Sequence, residues 1–157
     1  MSTLLSFPNP VNEKAARVVA GAVAVLSAVI LVTGWQWLLA VLAYGFWARV
    51  LTGPTLSPLG RFATVVAAPR LGTPRYVPGP PKRFAQGIGA AVTTVAAVSA
   101  LALGWTTVAE VLTALMVVFA VLESVFAFCV GCRIFGALMA AGLIPDGVCA
   151  DCANIWA

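Results

Sequence analysis

The four cysteines of the chain stand in two Cys-x-x-Cys pairs, Cys129-Val130-Gly131-Cys132 and Cys149-Ala150-Asp151-Cys152. Written together, the pairs read C-x2-C-x16-C-x2-C, which is within the spacing range of four-cysteine zinc and rubredoxin-like iron sites. The same pairs are also suited to thiol exchange through mixed disulfides. The pattern therefore indicates either reactive thiols or a zinc or iron site built from all four cysteines.

Helix geometry separates the roles of the two pairs. Residues three apart in an unbroken helix hold their Cβ atoms about 5–6 Å apart, whereas a disulfide favours about 3.8 Å. Cys129 and Cys132 are therefore expected to bridge only if Gly131 distorts the helix. Cys149 is expected in the first turn of a short helix capped by Asp146 or Gly147, where the helix dipole favours a thiolate. A weaker interpretation treats Cys129 and Cys132 as small apolar residues of a helix.

Two charged residues near the first pair are candidates for a role in the same chemistry. Arg133, four residues after Cys129, is expected to favour the Cys129 thiolate. Glu123 lies two turns before Cys129 within an apolar run, where an ionisable residue usually faces a partner or a wet cavity. It is predicted either to accept protons from the thiols or to form a buried ion pair with Arg17 or Arg49.

The composition places these residues in a membrane protein. Hydrophobic residues make up 62% of the chain and charged residues 9%, against about 25% charged in an ordinary soluble domain. The net charge of +4 is spread between apolar runs, so nucleic acid is not an expected partner. The absence of histidine excludes Ser-His catalysis and sites with histidine ligands.

The apolar runs predict an all-α membrane domain with four transmembrane helices, near residues 15–33, 35–51, 84–103 and 106–130. Asn9-Pro10 is predicted to begin the first helix, with Pro10 at its first position. The cytosolic loop 52–83 should hold a helix that starts at Ser57-Pro58 and lies at the membrane interface, followed by an extended stretch over 74–81. The fourth apolar pattern continues to about residue 141, so that helix is expected to project or to break near Val130-Gly131. A short tail, 142–157, contains the second cysteine pair.

Four spans place all nine basic residues on one side, which the positive-inside rule makes cytosolic. Both termini then lie in the cytosol, and the cysteines face a reducing compartment in which stable structural disulfides are not expected. Small residues repeat every four positions in the helices, as at Ala20, Ala24 and Gly89, and predict close helix packing.

Three segments resemble a bacterial, mainly actinobacterial, family of four-helix membrane proteins of unassigned function. They are GPTLSPLGRFA from Gly53, PPKRFAQGIGA from Pro80, and FCVGC from Phe128 to Cys132. The resemblance extends from about Pro10 to at least Gly136. It implies a multi-pass protein of the plasma membrane, with Cys129 and Cys132 as the matching functional positions. It further implies thiol or sulfur chemistry, because such genes often lie beside those of thioredoxin-like and rhodanese-type proteins.

The leading hypothesis is a thiol-disulfide oxidoreductase-like relay. In it, Cys129/Cys132 and Cys149/Cys152 pass electrons or sulfane sulfur to a cytosolic thioredoxin-like or rhodanese-like protein, without a cofactor. The alternative is a non-catalytic membrane anchor in which the four cysteines hold zinc or iron. A small-solute permease is the weakest hypothesis, because Glu123, Glu110 and a few hydroxyls are its only polar candidates within the spans. Membrane lipid is an expected partner, and the sequence leaves a homo-oligomer open.

Overall fold

A computed structural model of the chain describes residues 5–150 and 152. The prediction of an all-α fold is confirmed, since helices dominate and the strands are two residues long. The elements in chain order are β1 Val11–Asn12, α1 Glu13–Thr33, α2 Leu38–Thr52, α3 Pro58–Phe62, a π-helical segment Ala63–Ala67, α4 Ala68–Arg70, β2 Tyr76–Val77, α5 Gly79–Leu101, α6 Thr106–Phe126, α7 Val130–Ala140 and a 3₁₀ turn Asp146–Val148.

Three of these helices, α1, α5 and α6, are long and apolar enough to cross a membrane. The helix α2 is also apolar but has 15 residues, and at 1.5 Å per residue it spans roughly 22 Å of a hydrocarbon core of about 30 Å. The prediction of a membrane protein is therefore supported by three candidate spans and one shorter apolar helix.

The apolar helices pack in pairs, α1 mainly against α6 and α2 mainly against α5, and α5 also contacts α6. Small residues lie at these contacts, as the sequence predicted. Ala20 and Ala24 of α1 are buried, and a Cβ placed on Gly89 of α5 would overlap the ring of Phe46 on α2. Gly89 therefore allows the α2 and α5 backbones to approach closely.

One end of the bundle gathers the start of α1, the end of α2, the start of α5 and the end of α6. Arg17 donates to the backbone carbonyls of Ser124 and Val125 at 3.0 and 3.1 Å, and Arg83 donates to that of Val50 at 2.9 Å. Cations at helix C-termini satisfy free carbonyls and oppose the helix dipole. The antiparallel pairing of β1 with β2 closes the same end.

Two helices begin at positions that differ from the prediction. The first helical residue of α1 is Glu13 rather than Pro10, because the side chain of Asn12 accepts the Lys14 N–H and caps the helix. Helix α5 begins at Gly79, before the predicted start at Phe84, and prolines occupy its first turn. The stretch predicted to be extended therefore ends at Pro78. The Tyr76–Val77 part of it forms a strand.

The loop between α2 and α5 contains the helix predicted at Ser57-Pro58. Ser57 Oγ accepts the Gly60 N–H at 3.1 Å, and Pro58 is the first helical residue. Helical structure continues through the π-helical segment to Arg70 and packs against α1. We call residues 58–70 the loop helix.

The long apolar pattern after residue 106 is divided into two helices. Helix α6 ends at Phe126, Ala127 adopts a left-handed conformation with φ +55°, and Cys129 is extended before α7 begins at Val130. The predicted fourth span, 106–130, was therefore too long. The break covers residues 127–129, directly before the Val130-Gly131 step near which it was predicted.

Candidate thiol site

Cys129 is the N-terminal cap of α7, with backbone angles φ −90° and ψ 104°. Its Sγ accepts the Cys132 N–H at 3.3 Å, and the Cys132 thiol donates to the same Sγ at 2.7 Å. The separation expected for two cysteines within one helix does not apply, because Cys129 stands before the first helical residue. A thiolate at Cys129 thus receives two hydrogen bonds from Cys132.

These contacts make the two thiols unequal. The hydrogen bond from the Cys132 side chain lowers the pKa of Cys129, helped by the ammonium of Lys82 and the Cys132 N–H and opposed by burial and by Glu123. The pKa of Cys132 is raised, because its proton is held by Cys129 and because burial disfavours its charged form. Cys129 is therefore the thiol suited to attack, and Cys132 is the one that keeps its proton.

The buried carboxylate near the thiols is paired with Lys82. Lys82 Nζ lies 2.6 Å from Glu123 Oε1, and the two side chains are 10% and 16% exposed. The sequence predicted Arg17 or Arg49 as the partner of Glu123, and this was wrong. Arg17 instead binds the carbonyls at the end of α6, and Arg49 donates to Gln86.

Sequence reasoning missed Lys82 because it placed this residue in the loop. A signal for it was present, since Pro80 and Pro81 are typical of a first helical turn. A helix that begins there carries Lys82 on α5, one turn before Ala85. The sequence therefore contained enough information to place Lys82 on a helix, whereas its approach to the thiols depends on how α7 packs on α5.

Arg133, predicted to favour the Cys129 thiolate, stacks on its neighbour Phe128. Its guanidinium lies over the ring of Phe128, with Cζ 5.1 Å from the ring centroid, and the side chain is exposed. Among the causes that lower the pKa of Cys129, after the hydrogen bond from Cys132, is the ammonium of Lys82.

The first turn of α7 packs directly on α5. A Cβ built on Gly131 would lie 2.6 Å from both the Cα and the Cβ of Ala85. A residue with a side chain therefore does not fit at this position. Gly131 allows α7 to approach α5 this closely. Because Lys82 is one turn from Ala85, the same contact holds the thiols near the Lys82–Glu123 pair.

A small cavity of about 80 Å³ adjoins the thiols and is lined by Cys129, Gly131, Glu123 and Gln86, among others. This volume exceeds the roughly 10–15 Å³ that one water molecule needs when polar groups surround it. The cavity is therefore shared by Cys129 and by the Glu123 carboxylate, which was predicted to accept protons.

The second pair is joined by a disulfide between Cys149 and Cys152. Both residues are buried in a small cluster with Phe135, and Phe84, Met139 and Ile144 pack against it. Cys149 follows the 3₁₀ turn Asp146–Val148 instead of lying in the first turn of a helix, so the predicted dipole effect on Cys149 is absent. The expectation that disulfides are disfavoured also does not match this bond. Asp151 lies outside the described residues.

The two pairs occupy different places along α7. Cys129 and Cys132 lie at its start, whereas Cys149 and Cys152 pack near Phe135 and Met139 farther along it. Within residues 5–150 and 152, histidine, cysteine, aspartate and glutamate side chains form no group of three or more with metal-binding spacing. This conformation does not assemble the predicted four-cysteine zinc or iron site.

Comparison with known proteins places the chain in a family without identifying a reaction. No curated protein and no solved structure has significant similarity to it. A family described as a domain of unknown function, DUF4395, matches residues 11–140, which include Cys129 and Cys132 and end before Cys149. The chain, with its apolar helices and its capped thiol pair, belongs to the DUF4395 family.

Proposed function

We propose that the protein is a membrane thiol relay in which Cys129 attacks and Cys132 resolves. The single observation that supports this role is the position of Cys129 as the cap of α7. There its sulfur accepts both the N–H and the thiol proton of Cys132. A cysteine at a helix N-terminus, beside a cation, is the usual arrangement of a reactive thiolate.

The relay acts at the cytosolic face of a bacterial plasma membrane. In the proposed topology α2 is a fourth span, completed by the flanking Trp35 and Trp37, and both termini lie in the cytosol. This topology is supported by the gathering of Arg17, Arg83 and the β1–β2 pairing at one end of the bundle. The loop helix then lies at the cytosolic interface, where exposed Phe62 and Val65 face lipid.

The exchange reaction conserves atoms and electrons. The Cys129 thiolate attacks a partner disulfide, so a bond forms from Cys129 to one partner sulfur while the other leaves as a thiolate. Cys132 then attacks Cys129, and its proton passes to the departing partner sulfur. The pair is oxidised by two electrons and the partner disulfide is reduced. In the sulfur-transfer form, Cys129 attacks the outer sulfur of a partner persulfide and becomes a persulfide as the partner thiolate leaves.

In this proposal the Cys149–Cys152 disulfide is the second redox-active pair of the relay. It packs against Phe135 of α7, the helix whose start carries the first pair, and it is oxidised while Cys129 and Cys132 are free thiols. Exchange between a dithiol and a disulfide needs no other oxidant. A thioredoxin-like or rhodanese-like protein of the cytosol fits the partner's chemistry, in line with the resemblance seen in the sequence.

Four single-serine variants test the relay. Replacing the resolving thiol, Cys132→Ser, should trap a mixed disulfide between Cys129 and a cytosolic protein, visible on a non-reducing gel. Cys129→Ser should give no adduct. Both variants should insert normally, because serine is close to cysteine in size and the bundle is held by packing elsewhere.

The anchor hypothesis makes an opposite prediction for the same variants. If zinc or iron joins all four cysteines, then each serine change should lower the metal content and increase protease cleavage of the chain after Gly142. Equal loosening in all four variants, with no adduct in any, would replace the relay with the anchor. Metal analysis and thiol titration of anaerobically purified parent protein provide an independent check.

A further inference from the structure

A second and larger cavity lies at the end of the bundle that gathers the basic residues, and the thiol relay does not use it. Its volume is about 500 Å³, within the range of roughly 300–1,000 Å³ typical of small-molecule sites. The segment before α1, the loop helix and the loop after it supply largely apolar walls. The helix side of the cavity is lined by Arg49 of α2 and by Lys82 and Gln86 of α5.

Arg49 is buried and forms no ion pair within the part of the chain that the structure describes. Its side chain stacks on the ring of Phe46, with Cζ 4.6 Å from the centroid. Its Nε donates to Gln86 at 2.8 Å and its Nη1 to Ser57 at 3.4 Å. The remaining nitrogen, Nη2, is buried and has no hydrogen-bond partner among the described residues. Arg49 as a whole is 6% exposed.

The ion pairs that the structure describes beside this cavity do not include Arg49. Glu123 forms its ion pair with Lys82, and the other ion pair within residues 5–150 and 152 joins Glu13 to Arg75. Of the two cations that line the cavity from the helices, Lys82 therefore has a direct carboxylate partner in the described chain and Arg49 does not. A buried guanidinium is costly unless an anion and hydrogen bonds compensate it. The planar fork of arginine suits a carboxylate or another oxyanion with two oxygens.

We infer that the cavity is a binding site for an amphipathic monoanion. The anionic group, a carboxylate or a singly charged phosphate ester, binds at Arg49. The apolar part of the ligand occupies the space between α1 and the loop helix. A soluble metabolite from the cytosol and an anionic lipid headgroup share this chemistry, so the test has one arm for each source.

The soluble arm uses 2-naphthoate as the probe and 2-naphthamide as its uncharged match, with purified protein in detergent and calorimetry as the readout. The lipid arm uses nanodiscs of phosphatidylglycerol and phosphatidylcholine and measures which lipid the extracted protein retains by native mass spectrometry. In at least one arm the anion should bind tenfold or more tightly than its neutral match. That preference should disappear in Arg49→Gln and persist in Arg61→Gln, which removes an exposed arginine outside the cavity.

A second variant keeps the test decisive if Arg49→Gln fails to fold. Ala16→Phe retains the guanidinium but fills part of the cavity from α1, and it should weaken binding of the same anion at least tenfold. The inference is overturned if neither anion is preferred over its neutral match, or if the variant that folds binds the anion as tightly as the parent does.

Discussion

The ammonium nitrogen of Lys82 lies 2.6 Å from Oε1 of Glu123, and this contact joins the first turn of α5 to the last turn of α6 beside the thiols. Both side chains are largely buried, so each needs the other to offset the loss of water. The pair therefore contributes to both the stability of the bundle and the charge around Cys129.

Glu123→Gln should lower the free energy of unfolding by about 3–5 kcal/mol, because it leaves the Lys82 ammonium buried without a counter-ion. The control is Glu13→Gln, whose own side chain is 12% exposed but whose partner Arg75 is 76% exposed. Because Arg75 stays in contact with water when the carboxylate is lost, this change should cost about 1 kcal/mol or less. Denaturant unfolding in one detergent measures both. The double change Lys82→Met with Glu123→Leu should recover much of the loss. Equal effects of the two single variants would contradict a buried pair.

Alkylation of Cys129 should be complete at a lower pH than alkylation of an ordinary thiol. Its pKa is lowered by Cys132 and by Lys82, so more of it is thiolate at neutral pH. The measurement is the iodoacetamide rate against pH in a Cys149→Ser, Cys152→Ser background. Cys132→Ala and Lys82→Met should each move the midpoint to higher pH, and Arg70→Gln, an exposed site, should leave it in place. If neither Cys132→Ala nor Lys82→Met moves the midpoint, Cys132 and Lys82 do not lower the pKa of Cys129.

Gly89→Ala should destabilise the bundle by about 1–3 kcal/mol, because the added methyl group overlaps the ring of Phe46. The control is Gly87→Ala in the same helix, where a Cβ has no neighbour within 4 Å and alanine is the better helix former. Thermal unfolding and yield in detergent compare the two. If Gly89→Ala is as stable as Gly87→Ala, the α2–α5 contact is not as close as described.

Gly131→Ala should displace the first turn of α7 from Ala85 and disturb the thiol pair. We expect a stability loss of about 1–3 kcal/mol together with a rise in the midpoint of the Cys129 alkylation profile, since the sulfur moves away from Lys82. Gly147→Ala, which meets nothing within 4 Å, serves as the control. An unchanged alkylation profile in Gly131→Ala would show that the α5 contact does not position the thiols.

The proposed topology predicts which loops an impermeant maleimide reaches in intact cells. In a cysteine-free background, Thr33→Cys and Trp105→Cys should be labelled from outside, and Thr73→Cys should be labelled only after the cells are opened. All three positions are exposed in the structure, so access depends on the side of the membrane. External labelling of Thr73→Cys would reverse the orientation and place the thiols in an oxidising compartment.

The composition, together with residues that typically begin or end helices, was sufficient to predict much of the fold. Ser57-Pro58 begins a helix because a hydroxyl cap and a proline without an N–H suit its first turn. Gly34 ends α1 with φ +72°, as its freedom to adopt positive φ suggests. These are local effects, and the sequence displays them directly.

The site itself was less predictable, because tertiary contacts create it. The break between α6 and α7 falls at Ala127, which is neither glycine nor proline, and the cap of α7 is a cysteine, which is not among the usual capping residues. The Lys82–Glu123 pair joins residues far apart in the chain. Only the packing of α7 on α5 determines which cation approaches Cys129.

Because Cys129 caps α7, its oxidation state affects how firmly the first turn of that helix is held. In the reduced form, the sulfur to which the proposed relay assigns the attack is also the acceptor for the Cys132 N–H at the start of the helix. Once that sulfur is bonded to a partner, it carries no negative charge and accepts the N–H less well, so the first turn of α7 is held less firmly. The segment of α7 that packs on Ala85 would therefore loosen while a partner is attached and tighten again on its release.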